Sequence, residues 1–246
     1  MIPPRFQAAI DQVLPELQNR SDVLAIFLSG SFLHGREGPT SDVDLYVAVS
    51  SAFRQRRQVV TPNGTLAEIF LNPVDWCRRS FALGDFHAMH MVGHGQIVWS
   101  RDPALATSLQ AEARAAYERG PFPLTGLEWE AKRYGLLDSY EDAVDVVAQR
   151  PHDAFPALWR VIQHAVALRY ARARRWPPKD KWLLPDLGDW APDLAAALRA
   201  FALENDPKRT LVLVERALRL ALGPDDDLRI RSWESEPSLP PAHERR

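Results

Sequence analysis

The stretch that most constrains this chain runs from Gly30 to Leu45: Gly30-Ser31-Phe32-Leu33-His34-Gly35-Arg36-Glu37-Gly38-Pro39-Thr40-Ser41-Asp42-Val43-Asp44-Leu45. An apolar run, Val23 to Leu28, leads into it, and another, Leu45 to Val49, leads out. Each has the length of a buried strand. Asp42 and Asp44 are two positions apart, and residues i and i+2 of a strand share a face. Their carboxylates therefore stand side by side. Two anions held that close call for a compensating charge, most commonly a divalent cation.

The flanking sequence supplies the rest of a small sheet. Phe6, Ile10, Val13, Leu14 and Leu17 form one stripe of an amphipathic helix. Gln55–Thr61 and Thr65–Leu71 flank Pro62-Asn63-Gly64, a hairpin signal because Asn and Gly tolerate positive φ. Within the second hairpin strand, Leu66, Glu68 and Phe70 share a face, so Glu68 sits among apolar neighbours, a costly place for an unpaired carboxylate. Helices are expected over Pro73–Ala82, Phe86–Val92 and from Asp102 to Glu118, the last opened by an Asp-Pro cap, with a short edge strand over Gln96–Trp99.

Gly120-Pro121-Phe122-Pro123 marks a boundary beyond which strand signals vanish. Leu127–Val147, Ala154–Arg174, Leu194–Glu204 and Pro207–Leu222 all carry helical periodicity. The expected organisation is α+β: a first domain over residues 1–119 with a small mixed β-sheet, a helical bundle over 124–223, and a polar tail over 224–246, poorly ordered or laid over the surface.

Composition removes several function classes. A formal net charge of −2 over 246 residues offers no basic surface for nucleic acid as a whole-chain property. One cysteine, Cys77, excludes an internal disulfide and fits a reducing compartment. The opening Met1-Ile2-Pro3-Pro4-Arg5 lacks a secretory pattern, and no apolar run is long enough to span a bilayer. The expectation is a cytoplasmic protein.

Three acids, Asp42, Asp44 and Glu68, converge from a strand start and a hairpin strand that can pair beside it. Such a set suits a hard cation with oxygen ligands, typically magnesium. Gly30 leaves the backbone approachable, and Ser31 offers a hydroxyl and an N–H at a strand-to-helix turn, where an anion can be held. Acids for metal next to donors for phosphate make a metal–triphosphate site.

Gly30-Ser31, a ten-residue spacer, then Asp42-Val43-Asp44-Leu45 behind an apolar strand, with Glu68 in Leu66-Ala67-Glu68-Ile69-Phe70, resembles the signature of the DNA polymerase β-like nucleotidyltransferase superfamily. The resemblance spans roughly the first hundred residues, and the helical second half is similar in layout to bacterial antibiotic (aminoglycoside-type) nucleotidyltransferases. It implies a nucleotidyltransferase fold, a catalytic triad of Asp42, Asp44 and Glu68 holding two magnesium ions, and Gly30, Ser31 and Ser41 on the nucleotide. In the antibiotic-type relatives a lysine of the helical domain reaches the triphosphate. Trp176-Pro177-Pro178-Lys179-Asp180-Lys181-Trp182 carries two of the chain's four lysines, so Lys181, or else Lys179, is the candidate here.

Other features read as structural. His87, His90 and His94 share a helix face but have no Cys or acid cluster beside them, and His34 is a loop residue near the phosphate side. Arg160 and His164 resemble the Arg…His motif of HEPN ribonucleases with the spacing one residue short, so no ribonuclease activity is expected. Asp138, Glu141, Asp142 and Asp145 form a solvated helix face.

The expected activity is transfer of a nucleoside monophosphate, AMP from ATP, to a hydroxyl of a small-molecule acceptor, in a cleft between the domains, with Glu68 or Glu130 as general base. Two alternatives are an antitoxin-like enzyme that AMPylates a protein and a nucleotide-binding regulator without turnover. A nucleic-acid polymerase fits least, there being no aromatic-basic tract for a primer.

Overall fold

A computed structural model describes residues 2–223 and 225–234. The chain divides between Gly120 and Pro121 into two compact units. Among the described residues no helix is long and apolar enough to cross a membrane.

In the first unit, helix α1 (Pro4–Asn19) precedes β1 (Val23–Ser29), a single 3₁₀ turn (Ser31–His34), β2 (Val43–Val49), β3 (Gln55–Val60) and β4 (Leu66–Pro73). Helices α2 (Val74–Ala82) and α3 (Phe86–Gly93), strand β5 (Gln96–Ser100) and helix α4 (Pro103–Glu118) complete it. The five strands order as β3-β4-β2-β1-β5. β2 and β4 run parallel, and the other neighbours are antiparallel, giving the mixed sheet expected of an α+β fold.

Alternation along the strands separates the two sheet faces. Val43, Leu45 and Val47 of β2, with Ala67, Ile69 and Leu71 of β4, bury against Phe6, Ile10, Val13 and Leu17 of α1. Asp44, Tyr46, Glu68 and Phe70 alternate with them and so occupy the other face. The apolar stripe of α1 thereby decides which way the acids point.

The hairpin forms where Pro62-Asn63-Gly64 marks it, between antiparallel β3 and β4. Only Gly64 takes positive φ (78°), and the connection runs from Thr61 to Thr65. Asn63 stays in the ordinary region because its Oδ1 accepts the Thr61 hydroxyl (2.6 Å) and the Thr65 N–H (3.1 Å), closing the loop with a side chain.

The second unit is helical: α5 (Gly126–Gln149), α6 (Phe155–Arg172), α7 (Leu183–Trp190), α8 (Pro192–Leu203) and α9 (Pro207–Leu222), with their own core. The segment after Trp182, which lies between the helices expected over 154–174 and 194–204, is the helix α7. Pro185 and Gly188 masked it, but a proline in the first turn forfeits no helical hydrogen bond. The carboxylate of Asp186 then locks the helix by accepting from the Tyr170 hydroxyl (2.6 Å) and the Trp190 indole (2.9 Å).

Of the expected tail, Pro224 and 235–246 lie outside the described residues. Its start is tied down. Arg133 of α5, only 2% exposed, donates from Nε and Nη2 to the two oxygens of Asp226, each at 2.7 Å, and from Nη2 to the Arg229 carbonyl at 2.9 Å.

Candidate active site

The site is built from backbone register. Asp44 on β2 lies opposite Ser29 on β1 and opposite Glu68 on β4. Asp42 immediately precedes β2. All three acids are half-buried, and ligand oxygens from Asp42, Asp44 and Glu68 lie within 4.8 Å of one another. Among the described residues this is the only group of three or more His, Cys, Asp or Glu side chains so gathered.

β3 adds two partners that sequence reading missed. Arg56 Nη2 donates to Glu68 Oε1 at 2.6 Å, and Gln58 Nε2 donates to the same oxygen at 2.5 Å. Gln58 is the register partner of Glu68. Counting outward from the turn would have located it, since alternate residues of a hairpin strand share a face.

The Gly30–Ser41 loop folds back over the strand ends. Gly30 has φ 139° and ψ 157°, a conformation open in practice to glycine alone. A Cβ there would come within 2.6 Å of the Phe32 ring, which stacks on Phe6 with centroids 4.4 Å apart. Ser31 Oγ and Ser41 Oγ share a hydrogen bond (2.9 Å), and Ser41 Oγ also accepts the Gly38 N–H (2.8 Å). Arg5 of α1 clamps the loop through the carbonyls of Gly38 (2.6 Å) and Pro39 (3.0 Å). The element after Gly30 is one 3₁₀ turn, too short to provide a helix dipole. The donors on offer are therefore individual hydroxyl and N–H groups.

Gly30, Ser31 and Ser41 thus surround the same strand ends as the three acids. Lys179 and Lys181 belong to the second unit, where both are exposed at a 3₁₀ turn (Asp180–Trp182). Glu130 lies half-buried on α5. His164 is exposed and shares a hydrogen bond with Ser139 Oγ (3.2 Å).

The histidines form a ring cluster. His90 stacks on Phe86 (5.8 Å), His94 packs edge-on to Tyr117 (4.6 Å), and His34 lies 6.4 Å from His90. Burial, then the charges of Arg114 and His34, hold His94 below the usual imidazole range. Cys77 is buried, and burial pushes its thiol up to about 11.

Residues 11–104 match the family model described as Polymerase beta, Nucleotidyltransferase. A solved structure, a nucleotidyltransferase-like protein from Exiguobacterium sibiricum 255-15, is similar with a TM-score of 0.49 and 17% identity, over 89% of this chain and 74% of that one. No curated protein matches the sequence. The matched span begins within α1, ends at the start of α4 and encloses every strand and all three acids, so this part of the first unit is similar to the polymerase β-type nucleotidyltransferase domain.

Proposed function

We propose that this protein transfers AMP from ATP to a hydroxyl of a small-molecule acceptor, using two magnesium ions held by Asp42, Asp44 and Glu68. The observation that carries this reading is the convergence of the three carboxylates within 4.8 Å beside the Gly30–Ser31 loop. The donor set is all oxygen, which suits magnesium rather than a softer metal. Bound there, the ions supply charge neutralisation at the phosphates and a lowered pKa at the acceptor hydroxyl.

Asp42, Asp44 and Glu68 would hold the ions. Ser31, with the N–H groups of Gly30 and Ser31, holds the outer phosphates, and Ser41 fixes the Ser31 hydroxyl. The acceptor oxygen bonds to the α-phosphorus as the bond from that phosphorus to the bridging oxygen breaks. Pyrophosphate leaves with the electron pair, and the hydroxyl proton passes to Glu68.

Pyrophosphate release from magnesium–ATP over an acceptor panel tests the assignment. Asp42→Ala is expected to abolish release by any acceptor that the wild type uses. Full activity in that variant would sink it.

A further inference from the structure

The open end of the acid-bearing sheet face is cationic. Arg54, Arg56, Gln58 and Val60 alternate along and just before β3, the sheet edge, and all are exposed. Arg56 reaches Glu68 and lies over the Phe70 ring at 5.1 Å. Arg54 lies over Trp76 of α2 at 4.1 Å, its Nε donating to Asn72 Oδ1 at 3.0 Å. Arg79 approaches the same indole at 5.8 Å. Three guanidinium groups thus line two aromatic rings, starting at the third acid and running away from it. Among the described residues, Glu68 is the only carboxylate in ion-pair contact with any of the three.

This surface discriminates between acceptors. Once cations occupy the acids, Glu68 is matched to them and Arg56 carries surplus charge. An acceptor rich in ammonium groups meets three like charges. A phosphorylated acceptor meets planar forks already oriented by aromatic faces, the geometry that binds phosphate oxygens in pairs.

Resting on the nucleotidyl-transfer reading, we propose that the acceptor is an anionic hydroxyl compound whose phosphate sits at Arg54, Arg56 and Arg79. The acceptor class is then opposite in charge to the aminoglycosides used by the antibiotic-type enzymes. The phosphate belongs to a small phosphorylated metabolite.

The test is calorimetric titration of the full chain with magnesium and the non-transferable analogue α,β-methylene-ATP. Ribose 5-phosphate, a hexanucleotide with a free 3′ hydroxyl, unphosphorylated ribose and kanamycin serve as probes. Ribose 5-phosphate is expected to bind ten times or more tighter than ribose, and kanamycin to bind weakest. Arg54→Gln with Arg79→Gln weakens the phosphorylated probe at least tenfold and leaves analogue affinity within twofold. Preference for ribose 5-phosphate over the hexanucleotide is expected, and the reverse preference overturns the assignment to a small metabolite. Kanamycin binding as tight as the phosphorylated probes, no binding of either phosphorylated probe, or no change in the double variant overturns the proposal. The wild-type comparison decides the matter if the variant fails to fold. Arginine-dependent phosphate binding without binding of the analogue would sink the nucleotidyl-transfer reading alone.

Discussion

Asp44 stands directly across the parallel β2–β4 pair from Glu68, so the spacing of two of the three site acids is a property of strand register. Both backbones are held by the sheet, and the opposite faces of both strands are buried against α1. Neither carboxylate can retreat by backbone movement without breaking that packing. The repulsion between them is thus built into the fold, Arg56 offsets part of it at Glu68, and a bound cation would offset more.

Replacing Asp44 by Asn removes one of the clustered charges. In metal-free buffer the variant is expected to melt no lower than the wild type. Magnesium at a hundred times its dissociation constant stabilises the wild type by about 2.7 kcal/mol, and the variant loses most of that shift. Transfer activity falls by roughly a hundredfold or more, the scale of losing one preorganised electrostatic group. Thermal melts with and without magnesium, beside pyrophosphate release, provide the check.

Gly30→Ala places a methyl against the Phe32 ring in a backbone region that favours glycine. The expected cost is about 1–3 kcal/mol, read as a lowered urea midpoint of the first unit. Gly38→Ala is the control, because a Cβ there meets nothing within 4 Å. Equal midpoints for the two variants would contradict the strain assigned to Gly30.

Arg133 and Asp226 make the second unit sensitive to acid. The hydrogen bonds from Arg133 hold the Asp226 carboxyl below the usual carboxylate range. A depressed folded value means the stabilisation is complete above the unfolded pKa of roughly 4. It is then lost as pH falls through the folded value. Asp226→Asn is expected to flatten that part of the stability–pH curve. Asp226→Ala leaves the buried Arg133 with only the Asp227 carboxylate (3.3 Å) and the Arg229 carbonyl (2.9 Å) as acceptors, and costs about 2 kcal/mol at neutral pH, measured by chemical denaturation.

Cys77 is expected to resist thiol reagents. Burial raises its thiol to about 11, so the thiolate is scarce at pH 8. A disulfide reagent at that pH should label the native chain at least tenfold more slowly than the chain in 6 M guanidinium. Rapid native labelling would contradict the packing of α2 on the sheet.

Legibility in the sequence followed the range of the physics involved. The period-two alternation of Val43-Asp44-Leu45 and Ala67-Glu68-Ile69 is local, and it correctly put the acids on one face. The stripe of α1 was equally plain. Helix α7 was missed because Pro185 and Gly188 are read as breakers unless their place within the helix is known. Arg56 and Gln58 were missed because their importance depends on a pairing partner ten or twelve residues away. The hairpin at Pro62-Asn63-Gly64 was legible, because turn residues between two strand-like runs are a local signal; that the Asn63 side chain would tie Thr61 to Thr65 was not.

By itself the sequence determined which residues can be strands, which face each strand buries, and that Asp42 and Asp44 lie together. Hydrophobic periodicity and side-chain alternation act over a few residues and leave their mark in the order of letters. Only the tertiary structure decided that β4 returns parallel to β2, in the register that sets Glu68 beside Asp44, and that β3 then lays Arg54 and Arg56 beyond it. Sheet order and register come from long-range backbone pairing and from burial against α1. Their energetics are summed over the whole unit, so no single stretch of sequence contains them.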